Sequence, residues 1–96
     1  MEILVDFQKV INQANQMEEL AEALRRECEG NLTEALNLVA GSWTGEAAER
    51  YLRKGNRFQQ EMIRSAKDLE RSAEVIREVA RVMVEAERAA AALAES

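Results

Sequence analysis

Gly41-Ser42-Trp43-Thr44-Gly45 lies almost at the midpoint of a 96-residue chain and carries its only tryptophan and two of its four glycines. Both flanks read as long amphipathic helices, which makes this stretch a sharp helix–helix connection. The fold class follows as all-α: an antiparallel two-helix hairpin that folds back on itself at residues 41–45.

Toward the N-terminus, Phe7, Val10, Ala14, Met17, Ala21, Leu24 and Cys28 recur at alternating spacings of three and four, a heptad seam widened by Leu4, Ile11 and Leu20. At Gly30-Asn31 the phase slips. The seam calls for an apolar side chain at position 31, and the chain supplies Leu32, Ala35, Leu36 and Val39 instead. A phase shift alters supercoiling locally without ending a helix. A helix over about residues 6–40 is therefore expected to run through, with a break recapped by Asn31 as the alternative.

Toward the C-terminus, a second helix is expected over about residues 46–85, with Thr44 as N-cap and Glu46 near the positive end of the helix dipole. Its seam reads Tyr51, Gly55, Phe58, Met62, Ser65, Leu69, Ser72, Ile76, Val79 and Met83, thickened by Ala48, Leu52, Ala66, Ala73 and Ala80. Val75 and Val82 add a distal flank. Residues 86–96 are alanine-rich without an apolar stripe, and a frayed tail is expected there. The whole chain, 1–96, reads as one domain.

Alanine, glutamate, leucine and arginine dominate and proline is absent, a balance that favours long helices. A hairpin of this size buries little of its own surface, and association is a usual remedy. Two hairpins pairing into a four-helix bundle is the expected assembly, with Leu24, Cys28, Tyr51, Phe58, Met62, Leu69 and Ile76 in its core and dimer seam. The formal charge is −5, and it sits in one arm: residues 1–40 hold eight acids and three bases, whereas the remainder holds ten of each. An acidic chain without a basic aromatic groove is a poor nucleic-acid binder. No run approaches the roughly 18 apolar residues of a membrane span, so stable membrane insertion is not expected. The first residues lack the basic-then-apolar pattern of a cleaved signal peptide.

Chemistry has little to work with. Without histidine, neither a Cys–His pair nor a Ser–His–Asp arrangement exists in the chain. No glycine-rich phosphate loop or Glu-x-x-His metal pair occurs either. No enzyme activity, cofactor or metal is expected. Cys28, on the seam, reads as a buried thiol, with an intermolecular disulfide as the sharper alternative. Arg50, Arg57, Arg64 and Arg71 recur every seven residues, joined by Arg53 and Lys67. They read as a solvated face, or as a docking strip for an acidic partner, such as the acidic first arm of another copy. Trp43, flanked by glycines, reads both as a cap over the hairpin end and as an interface anchor.

These residues carry a resemblance. Trp43-Thr44-Gly45 is a W-x-G turn between two amphipathic helices in a chain of about one hundred residues, with Tyr51 eight positions on. The chain resembles the WXG family of small ESAT-like proteins exported by bacterial type VII secretion. The resemblance implies a hairpin forming homodimers or heterodimers with a related hairpin, and export through a secretion ATPase without a cleaved signal peptide. It also implies a composite export signal. Trp43 and Gly45 supply the W-x-G half, and a Tyr-x-x-x-Asp/Glu element after the partner's second helix supplies the other. No tyrosine follows Tyr51; the nearest match places Met83 and Glu87 at the aromatic and acidic positions. Some relatives instead pair with the N-terminal helical region of a larger toxin. A non-secreted, cytoplasmic adaptor or chaperone-like module is the alternative to export.

Overall fold

A computed structural model describes residues 6–96; Leu4 of the expected seam lies outside them. Three α-helices build two arms: α1 (Phe7–Glu27) and α2 (Thr33–Ser42), joined by a π-helical turn at Cys28–Leu32, and α3 (Glu46–Glu95). The molecule is a rod with principal extents of 77 × 19 × 16 Å.

Asp6 starts α1 by accepting the Lys9 backbone N–H at 3.1 Å, which satisfies one of the free amides of the first turn. The phase slip at Gly30-Asn31 has a definite form. The first arm neither breaks nor runs on as a plain α-helix; it absorbs one extra residue as a π turn. The buried positions report the same insertion: Ala14, Ala21 and Cys28 recur at sevens, and the next, Leu36, comes eight later. A π turn displaces carbonyls from their usual partners, and here Gln59 of α3 repairs the gap. Its side-chain amide donates to the Cys28 carbonyl at 3.0 Å and to Thr33 Oγ1 at 2.8 Å. The Thr33 hydroxyl itself donates to the Cys28 carbonyl at 2.6 Å.

The centre of the helix–helix contact is made of small side chains. Ala14, Ala21 and Cys28 of the first arm meet Ala66, Ala73 and Ala80 of α3, all with 3% exposure or less. Near the turn, Leu36 of α2 packs over Gly55, where a Cβ would run into the Leu36 side chain. Small residues permit the closest approach of two helices, so they take the central row and the larger apolar side chains are displaced to its flanks. Within the expected seam, Leu24, Met62, Leu69 and Ile76 are half-buried on one flank, and Tyr51 and Phe58 are more than half exposed.

The other flank is polar. Arg25 spans to Glu70 with two hydrogen bonds, at 2.8 and 3.1 Å, and Arg77 bridges Glu18 and the Asn15 side chain. These cross-arm pairs fix the antiparallel register: residues 18 and 25 lie level with 77 and 70.

Two boundaries differ from expectation. Gly41 and Ser42 finish α2 rather than belonging to the turn, because the Trp43 N–H still donates to the Val39 carbonyl at 2.9 Å. α3 runs to Glu95 instead of ending near residue 85; its alanine-rich end is intrinsically helical although fully exposed.

Candidate functional site: the turn and an open apolar face

Only Trp43, Thr44 and Gly45 separate the arms. Trp43 leaves the helix in an extended conformation, with φ −107° and ψ 145°. Gly45 reverses the chain at φ 93° and ψ −174°, a region open in practice only to glycine. A Cβ there would meet no atom within 4 Å. The demand for glycine is therefore conformational. Thr44 was the expected N-cap of the second helix, but Gly45 occupies that position and makes no side-chain cap bond. The reversal that Gly45 provides directs the chain straight into α3, with Glu46 and Glu49 in its first turn beside the positive dipole end.

Trp43 does not sink into the hairpin. Its ring lies 5.7 Å from that of Tyr51, tilted by 52°, and both residues stay 54% exposed. A tilted aromatic pair at this distance is attractive. Tyr51 thus holds Trp43 against the end of the rod while leaving half of each residue open to solvent.

From this pair an apolar face runs along the hairpin, on the side opposite the Arg25–Glu70 and Glu18–Arg77 pairs. Met17, Leu24, Met62, Leu69 and Ile76 form its half-buried floor. Leu20, Tyr51, Phe58, Val75, Val79, Val82 and Met83 stand exposed along it. At the distal end it deepens into a groove of about 240 Å³, walled by Phe7, Val10, Val75, Ile76, Val79 and Met83 over Ala80, with no polar lining. A shallower depression near the turn lies between Leu32, Ala35 and Leu36 on one arm and Tyr51, Gly55 and Phe58 on the other.

The accessible surface is 7627 Å², against about 5500 Å² for a compact monomer of this mass by the usual scaling. The excess, about 2000 Å², reflects the elongated rod and the exposed end of α3 together with the open apolar face. The internal core is correspondingly small. Burying a methyl-sized group contributes about 0.8 kcal/mol, so the alanine row alone stabilises the hairpin by only about 5 kcal/mol before chain entropy is counted.

Cys28 is 1% exposed, with its Sγ 3.6 Å from the Met62 sulfur, and lies inside the hairpin rather than on the apolar face. Met83 sits in the wall of the distal groove, and Glu87 is exposed one turn further on. Arg50, Arg57, Arg64 and Arg71 are exposed, and none ion-pairs with a carboxylate among the described residues. The arrangement brings Trp43 and Tyr51 together with the apolar face and leaves the arginine strip away from it. The reading from sequence missed the Gln59–Cys28–Thr33 cluster. Its signal was Gln59 itself, a polar residue in the heptad row otherwise formed by Leu52, Ala66, Ala73 and Ala80.

Among the described residues no group of acids and cysteine is placed to hold a metal ion, and no helix is long and apolar enough to cross a membrane. A family model described as "Proteins of 100 residues with WXG" matches residues 2–88. No curated protein and no solved structure matches the chain.

Proposed function

The chain belongs to the WXG100 family of ESAT-like proteins, and from that premise we propose that it is a client of a bacterial type VII secretion system, exported as a dimer. The observation that carries this reading is the half-exposed Trp43–Tyr51 pair at the end of a hairpin whose apolar face is unpartnered. A second hairpin laid on that face completes a four-helix bundle and covers the exposed Phe58, Val79 and Met83. The ends of the bundle then present Trp43, which is the group that the export machinery reads. The secretion ATPase is the proposed receptor.

Met83 favours a second form of the same reading. The position where a terminal tyrosine is expected faces the apolar groove and is methionine. A partner chain that carries the tyrosine then supplies that half of the signal, and this protein acts as its targeting subunit. The related hairpin, or the helical N-terminus of a larger toxin, fills that role.

Trp43→Ala tests the proposal. The turn geometry depends on Gly45, and Trp43 is half exposed, so the variant should keep its helicity and its mass by light scattering. Its release from the native host should fall at least tenfold. Release at the parental level would remove Trp43 from the signal. Retention of the chain while a bound partner is exported would favour the adaptor reading.

A further inference from the structure

The face opposite the apolar one carries its own order. At the turn half of the rod, the first arm is acidic and α3 is basic. Between residues 18 and 34 there are six carboxylates and two arginines; about residues 57–77 of α3, level with them, hold five bases and four acids, and the acid-free run 50–60 with its four bases lies nearer the turn. Arg53 and Lys67 share a heptad row, and Lys67 stands one helical turn before Glu70, whose side chain crosses to Arg25. Both therefore belong to the polar face. Glu22 and Glu74 rim the shallow depression over the Arg25–Glu70 pair, where Arg25 is held protonated first by its hydrogen bonds to Glu70 and less by the charges of Glu70 and Glu29. Arg57 and Arg64 lie at the outer border of the same face.

Ion pairing splits the bases into two groups. Arg25, Arg26, Arg77 and Arg81 each hold a carboxylate within the chain. Lys9, Arg50, Arg53, Lys54, Arg57, Arg64, Lys67, Arg71 and Arg88 hold none among the described residues; of these, Lys54 lines the apolar depression near the turn, and Lys9 and Arg88 lie toward the distal end. The turn half of each hairpin is thus polarised across its width: residues 18–42 of the first arm hold six acids and two bases, and residues 46–77 of α3 hold eight bases and six acids.

We propose that this polar face is a second self-association surface, on which the basic stripe of α3 lies against the acidic first arm of another copy of this chain. The level of the charges selects the arrangement. Cys28 lies level with Gln59 and Met62, and Leu36 lies level with Gly55. Glu34 is consequently at the height of Arg57, and Glu29 lies about level with residues 60–63, beside Arg64 and about one turn short of Lys67. A two-fold axis parallel to the rod sets α3 of one copy over the first arm of the other at equal height, with both turns at the same end. A two-fold perpendicular to the rod would oppose acid to acid. Since the apolar face is not used, copies that also pair through it extend into an open stack, because the two interfaces together do not close.

The contacts are exposed ion pairs, individually weak and screened by salt. Light scattering on the purified full chain should therefore show mass rising with concentration at about 20 mM salt and a constant mass at about 500 mM. The plateau mass at high salt reports the apolar dimer separately: a monomer there would sink the dimer reading and leave this one standing. Arg57→Glu/Lys67→Glu and Glu29→Lys/Glu34→Lys should each keep the high-salt mass and helicity yet lose the rise at low salt. In a Cys28→Ser background, mixing Arg57→Cys with Glu34→Cys copies should give a crossed disulfide at least fivefold above either variant alone. Equal mass at both salts, a rise that survives charge reversal, or crossed disulfides no commoner than like-with-like ones would each overturn the proposal. So would mass growth that requires added duplex DNA or anionic vesicles.

Discussion

Gly45 and Gly30 are both small residues in or near helices, yet the structure uses them in opposite ways. Gly45 holds φ 93°, where an L side chain is strained, so Gly45→Ala should lower stability by about 1–3 kcal/mol. Gly30 has an ordinary negative φ, and a Cβ there meets nothing within 4 Å. Gly30→Ala should raise stability by about 0.5–1 kcal/mol through the unfolded chain and helix propensity. Urea melts of the two variants check both signs at once. The sequence pointed to Trp43 and Gly45 together, but it did not reveal which residue would sit at the N-cap. Thr44 has the better capping side chain; the direction of chain reversal gave the place to Gly45, and that direction depends on how the two arms meet.

At the scale of elements, the first arm carries one residue too many for its heptads, and the π turn at Cys28–Leu32 holds the surplus. The cost is a disturbed carbonyl at Cys28, offset by Gln59 and Thr33. Gln59→Ala should therefore cost about 1–2 kcal/mol, since a buried acceptor loses one of its donors. Deleting Gly30 should still give a cooperative melt, because the surplus residue is removed and Leu36 returns to the Ala14–Ala21–Cys28 spacing. Deleting Glu22 should lower the melting temperature well below that of the Gly30 deletion, because it shortens the seven-residue step from Ala21 to Cys28 to six. Circular dichroism melts of the two deletions make the comparison. The phase slip was legible as a change of spacing; its resolution was not, since the partner that stabilises the π turn comes from the other arm. The alanine row was likewise visible but misplaced. Periodicity identifies a band about two rows wide, and only the closeness of the arms decides that Ala66, Ala73 and Ala80 take the centre while Phe58 and Val79 stay outside.

On the scale of the whole molecule, the hairpin has one polar flank that closes it and one apolar face that does not. The polar flank titrates. Glu18 is held below the usual carboxylate range first by its hydrogen bond from Arg77; desolvation opposes this, and the arginine's charge adds a smaller lowering effect. Its folded-state value is depressed, so its stabilising contribution is present at neutral pH and is lost as pH falls through that lowered range. Glu18→Gln should therefore melt below the wild type at neutral pH and converge with it under strong acid, which melts across the acid range will show. The apolar face, with its exposed Phe58, Val79 and Met83 and its groove between Phe7 and Met83, is left uncovered by the hairpin itself. That face and the half-exposed Trp43 are the features on which the proposed export as a dimer rests. Export itself is the most direct measurement of this account: release of the chain from its native host, compared with release from a strain lacking the secretion ATPase. The account predicts that the protein stays inside the cells without the ATPase, and equal release from both strains would contradict it.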